Sequence, residues 1–157
     1  MFFSKKEEIL RLCESSIYFD DIQNIYKQPI IIQIDDIVIK GEKYNKCLHL
    51  EDYKEYFGVY IFLDIQNRPV YIGVSGANKT KANLRQRVCA QLTNSSHLIK
   101  NISYVESLIS GKTVNVTRDT ILQYATKILI CPCGKDADKA QDLEVLLLSL
   151  CNTKYNR

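Results

Sequence analysis

Gly58-Val59-Tyr60-Ile61-Phe62-Leu63-Asp64-Ile65-Gln66-Asn67-Arg68-Pro69-Val70-Tyr71-Ile72-Gly73-Val74 is the stretch that decides the fold. In its first part Tyr60, Phe62 and Asp64 alternate with Val59, Ile61 and Leu63; in its second part Val70, Ile72 and Val74 alternate with Tyr71 and Gly73. Successive side chains of a strand point to opposite faces, so both parts read as short amphipathic strands. A two-residue turn at Gln66-Asn67 would close them as a hairpin, with Tyr60 opposite Gly73 and Tyr71 opposite Phe62. Both phenols then share a face, and a glycine leaves room beside one of them. A loop one residue longer or shorter would send the phenols to opposite faces, so the register stays open at this point.

Outward from the hairpin, Gly76 and Asn78 break the chain before a helix that begins at about Asn83, where the asparagine can cap it. A second helix is expected over 97–110, ending at Gly111, with strand candidates at 114–116 and 125–130. The last helix is expected over 138–151, with acidic residues in its first turns as the helix dipole favours. Before the hairpin, Ser4-Lys5-Lys6-Glu7 reads as a capping box and Leu10, Cys13 and Ile17 recur at helical spacing, which predicts a helix over 5–17. The segments 30–34 and 37–40, separated by Asp35-Asp36, look like a small hairpin. The expected fold class is α+β: an antiparallel sheet of about three strands flanked by helices, with residues 1–55 as a helix-hairpin extension and 56–157 as the main domain.

At 157 residues the chain can bury its own core. Met1 to Leu12 carries mixed charge with a short apolar start, unlike a signal peptide, and no run approaches a membrane span, so a cytoplasmic location is expected. The six cysteines have no Cys-x-x-Cys spacing and read as reduced thiols, with Cys131-Pro132-Cys133 as a packed strand end. Charge is uneven: net −3 over residues 1–55, +6 over 56–127 and 0 over 128–157. A basic excess around the hairpin suits a polyanionic partner.

Gly58-Val59-Tyr60, Val70-Tyr71-Ile72-Gly73, Asn83-Leu84-Arg85-Gln86-Arg87-Val88, Leu143-Glu144-Val145-Leu146-Leu147-Leu148 and Lys154-Tyr155-Asn156 follow one another in an order that resembles the GIY-YIG nuclease family. The resemblance covers roughly residues 56–157. It implies a small GIY-YIG-like domain that hydrolyses DNA phosphodiester bonds with Mg²⁺ or Mn²⁺. It further implies Tyr60 as base for the attacking water, Tyr71 as its hydrogen-bonded neighbour, and Asn156 as a residue that positions phosphate or braces the site. Gln91 stands where some relatives carry a histidine, and Glu144 and Asn156 are closer in sequence than in several of them.

The residues themselves carry part of this chemistry. Leu84, Val88 and Leu92 form an apolar stripe, and Arg87 lies beside it, where a guanidinium can hold a phosphate over the tyrosine face or simply extend to solvent. Arg85 faces elsewhere and is expected to be an auxiliary phosphate contact, with Lys79 and Lys81. Glu144 neighbours Ala140, Leu147, Leu148 and Cys151 at helical spacing, so its carboxylate leaves an apolar face. Such a group is protonated, paired, or bound to a cation, and Mg²⁺ often uses one or two protein carboxylates. Tyr60 and Tyr71 need nearby positive charge to ionise at neutral pH. The expected activity is that of a divalent-metal-dependent endonuclease with Glu144 as metal ligand, its partner being DNA and a homodimer or partner subunit serving double-strand cleavage. The alternative is a nucleic-acid-binding module that does not cut.

Overall fold

The computed structural model describes residues 22–39, 48–76 and 82–156. The expected helix over 5–17, Lys79, Lys81, Cys13 and Cys47 lie outside the described residues.

The described chain is α+β, built on a four-stranded antiparallel sheet. Its strands are β1 (Ile30–Gln33), β2 (Gly58–Leu63), β3 (Pro69–Val74) and β4 (Lys127–Pro132), in the order β1-β4-β2-β3. The helices are α1 (Ile34–Ile39), α2 (Leu84–Gln91), α3 (His97–Ser110) and α4 (Ala137–Leu150), with 3-10 turns at Leu48–Tyr53 and Arg118–Gln123. One face of the sheet carries Tyr60, Phe62 and Tyr71 against Leu84, Val88, Ile99 and Ile102 of α2 and α3. The other carries Val59, Ile61 and Ile72 against Ala140 and Leu147 of α4. With helices on both faces, every residue of β2 and β3 is buried, which explains their near-continuous apolar character.

The fourth strand corrects the expected sheet of about three. Residues 30–33, assigned to the extension as half of a small hairpin, pair with β4 instead, Ile30 facing Ile130 and Ile32 facing Ile128. Asp35 and Asp36 are not its turn. They occupy the first turn of α1, where carboxylates suit the positive end of the helix dipole, and Ile34 and Ile37 turn into the core.

The β2–β3 register matches the sequence reading, although the turn does not. Asp64 N–H donates to the Arg68 carbonyl at 3.0 Å, so the loop is Ile65-Gln66-Asn67, three residues with Asn67 left-handed at φ 61°. The ladder then shifts between Phe62 and Leu63, and this bulge takes up the extra residue. Tyr60 therefore faces Gly73 and Tyr71 faces Phe62.

Asn83 caps α2 through a reciprocal box with Gln86, and Gly111 ends α3 in a left-handed conformation at φ 73°. Residues 114–116 form no strand. Their amides are met by α3 side chains, Val114 N–H by Ser107 Oγ at 2.8 Å and Val116 N–H by Ser103 Oγ at 2.9 Å, which replaces a ladder. Cys131 and Cys133 are buried as the composition suggested, and burial pushes the Cys131 thiol up to about 12. Among the described residues no helix is long and apolar enough to cross a membrane.

Candidate active site

β2 and β3 set the two phenols on one face, and Phe62 lies between them. Its ring stands 6.1 Å from each, edge to face, at 86° to Tyr60 and 74° to Tyr71. The far end of the Tyr60 ring lies directly over Gly73, where any β-carbon would overlap it. Tyr60 is 1% exposed and Tyr71 8%.

Two helices bring opposite charges to these phenols. α2 packs Leu84 and Val88 inward and leaves Arg87 half-buried beside them. α4 packs Ala140 and Leu147 on the opposite face and leaves Glu144 half-buried. Both lie within electrostatic range of the phenols, since Arg87 and Glu144 each act on Tyr60 and on Tyr71. Among the described residues Arg87 and Glu144 form no ion pair with each other or with any other side chain. The buried Glu-Arg pair that the sequence left open is thus not formed. Burial alone raises the Glu144 pKa, as for a carboxylate withdrawn from water without a partner.

Burial raises the Tyr60 pKa and outweighs the hydrogen bond from Gln91 and the charge of Arg87, which act the other way. Tyr71 is pushed up to about 12, first by burial and then by Tyr60. Without a bound cation, desolvation outweighs the positive charge of Arg87 at both phenols.

Two of the expected substrate contacts are already engaged. Arg85, expected as an auxiliary phosphate contact, pairs with Glu51 at 2.6 Å in the ligand-free protein and ties α2 to the first 3-10 turn. Asn156 accepts from the Ile72 N–H and donates to the Ile72 carbonyl, both at 2.8 Å. Together with the bond from Tyr155 N–H to the Val70 carbonyl at 2.8 Å, it closes the open edge of β3 around Tyr71. Asn156 braces the strand, and its amide is committed to backbone.

Gln91, noted in the sequence only as standing where some relatives carry a histidine, joins the site in the structure. It is 4% exposed, and its Nε2 donates to Tyr60 Oη at 3.0 Å. A polar residue on the stripe of Leu84 and Val88 was the available signal. His97 is exposed at the start of α3, whose cap is Ser96.

No protein-family model, curated protein or solved structure matches this chain. What the site can hold therefore follows from its donor set. No cluster of three His, Cys, Asp or Glu occurs among the described residues. A cation here would rest on the Glu144 carboxylate, with water and substrate oxygens completing its shell, a set that fits Mg²⁺ or Mn²⁺. An unpartnered, half-buried carboxylate is the group such an ion would satisfy.

Proposed function

We propose that this chain is a divalent-metal-dependent endonuclease of the GIY-YIG type, hydrolysing DNA phosphodiester bonds. One observation carries the reading: Arg87 and Glu144, opposite in charge and unpaired among the described residues, act on the same two phenols. A guanidinium left without a carboxylate is suited to a phosphate, which it can grip in a planar fork and whose developing charge it can offset. Glu144 would hold Mg²⁺ or Mn²⁺, which when bound supplies Lewis-acid stabilisation of the departing 3′ oxygen. Tyr60 and Tyr71, neutral in the resting protein, orient water and phosphate oxygens, and the rigid row through Phe62 keeps them in place. Asn156 and the C-terminal segment hold β3 still behind them. The basic excess of +6 over residues 56–127 favours a polyanionic partner. One such site cuts one strand, so a double-strand break would use a homodimer or a partner subunit.

Nicking of supercoiled plasmid tests this. Wild type in Mg²⁺ or Mn²⁺ is expected to nick, chelation to stop it, and Glu144→Ala to slow it by at least ~100-fold. Equal nicking by wild type and Glu144→Ala would defeat the assignment. A second reading, a DNA-binding module that does not cut, takes its support from burial, which raises the pKa of both phenols in the metal-free protein. Duplex binding without metal-dependent nicking would establish it.

A further inference from the structure

The proton of Tyr60 has a direction. Gln91 Nε2 donates to the phenol oxygen at 3.0 Å, and the amide cannot turn over, because the Leu98 N–H donates to Gln91 Oε1 at 3.2 Å. A flipped amide would set its NH₂ against that N–H, donor against donor. Leu98 lies in the first turn of α3, where a backbone N–H has no partner within the helix and needs this acceptor. Ser96 Oγ, which takes the Ile99 N–H at 3.1 Å, donates to the Gln91 carbonyl at 2.7 Å and fixes the residue at its backbone as well. Arg87 also acts on this phenol, and its guanidinium can only donate.

The amide of Gln91 thus gives the phenol oxygen a hydrogen bond through Nε2 and cannot receive one there. The phenol's own hydrogen must therefore turn away from Gln91. Among the described residues no side chain or carbonyl accepts it. Arg87 from α2, Glu144 from α4 and Tyr71 from β3 are the charged and titratable groups around it, and Glu144 acts on it through charge alone.

We infer that Gln91 is a positioning residue that holds Tyr60 as a hydrogen-bond donor into the site, so that this phenol binds an anionic oxygen of the ligand instead of taking a proton from water. That the anionic oxygen belongs to a DNA phosphate rests on the nuclease reading above.

The discriminating substitution is Gln91→Glu in the full chain. Its carboxylate keeps the bond from Leu98 N–H but meets the phenol with an acceptor, which draws the Tyr60 proton inward. Gln91→Leu removes the donor and leaves the proton free to turn. Metal-dependent nicking and affinity for a short DNA duplex are expected to fall ~10- to 100-fold in Gln91→Glu and in Tyr60→Phe, and less in Gln91→Leu. A side chain that merely fills space predicts that Gln91→Glu, which buries a carboxylate, melts lower but binds the duplex as wild type does where it is folded, and that outcome would overturn the proposal. Carbon-13 labelling of the tyrosine ζ-carbon supplies a readout independent of cleavage. The Tyr60 resonance, assigned by its loss in Tyr60→Phe, should shift on adding the duplex to wild type and should not shift in Gln91→Glu. If wild type never nicks but the resonance behaves this way, the nuclease reading fails and the donor assignment stands. If Gln91→Glu does not fold, Tyr60→Phe decides, and unchanged duplex affinity there rejects the donor role.

Discussion

At the turn of the β2–β3 hairpin Arg68 pairs with Asp64 at 3.0 Å and Lys154 with Glu106 at 2.7 Å, both pairs lining a cavity of about 350 Å³. Beside the phenols of the same hairpin, Arg87 and Glu144 have no ion-pair partner among the described residues. The same contrast recurs within one helix, where Arg85 is bound to Glu51 and Arg87, two residues on, is not. Asp64 takes the N–H groups of Gln66 and Arg68 as well as the Arg68 side chain, so its charge shapes the turn. Charges satisfied in this way are architectural. A half-buried charge that the fold leaves unsatisfied costs stability, and it is retained where a ligand will complete it.

Exchanging the two kinds of arginine is the strongest way to break that contrast. Arg87→Ala is expected to lower the metal-dependent nicking rate by ~100- to 1000-fold, the usual loss when a donor to a developing oxyanion is removed. Arg68→Ala should change it less than about threefold while costing ~1 kcal/mol of stability, as for a partly buried pair at the upper end of the surface range. Plasmid nicking rates and denaturant midpoints for both variants check this. Similar nicking losses from the two substitutions would erase the distinction between architectural and ligand-directed charge.

Gly73→Ala probes the packing on which the phenol side depends. The added methyl meets the Tyr60 ring itself, and since that ring is packed against Phe62 it cannot swing freely. The expected cost is ~1–3 kcal/mol, read as a drop in the melting temperature of several degrees. By contrast, the left-handed Gly111 has open space around its α-carbon, so Gly111→Ala pays only for backbone strain. Should Gly73→Ala melt with wild type, Tyr60 is not held as described.

Much of the phenol side was legible in the sequence because it depends on local alternation. Tyr60, Phe62, Tyr71 and Gly73 declare their faces by parity, and the three-residue turn and the bulge cancel, so a wrong turn still gave the right partners. The caps at Asn83 and Gly111 are equally local. β1 was not legible as a sheet strand, since Ile30 finds its partner at Ile130 and no local pattern encodes that pairing. The segment 114–116 misled because Ser103 and Ser107 hydroxyls serve its amides in place of a neighbouring strand. Glu144 betrayed itself by emerging from an apolar stripe. Gln91 stood out only as a polar residue on the stripe of Leu84 and Val88, because its role needs the Leu98 N–H and the Tyr60 oxygen together. The phenols' ionisation depends on burial by helices on both faces of the sheet, which no strand pattern reports.

The smallest expected effect is the most direct measure of the unsatisfied charge. Burial raises the Glu144 pKa in the folded protein. Stability linked to this group is therefore full below its ordinary, unfolded value and is lost as pH rises through the raised folded value, because ionisation then favours the unfolded chain. Glu144→Gln keeps the shape and removes the charge. Its melting temperature should equal that of wild type below about pH 4 and exceed it at pH 7–8 by only ~1–2 °C, since a half-exposed carboxylate is partly screened. At the architectural end Asp64→Asn should instead lower stability at neutral pH, because Asp64 answers three donors there. Adding Mg²⁺ should raise the melting temperature of wild type and leave Glu144→Gln unmoved. A Gln variant that is less stable than wild type at pH 7 would mean that Glu144 already has its partner within the protein, and the reason for assigning it a cation would be gone.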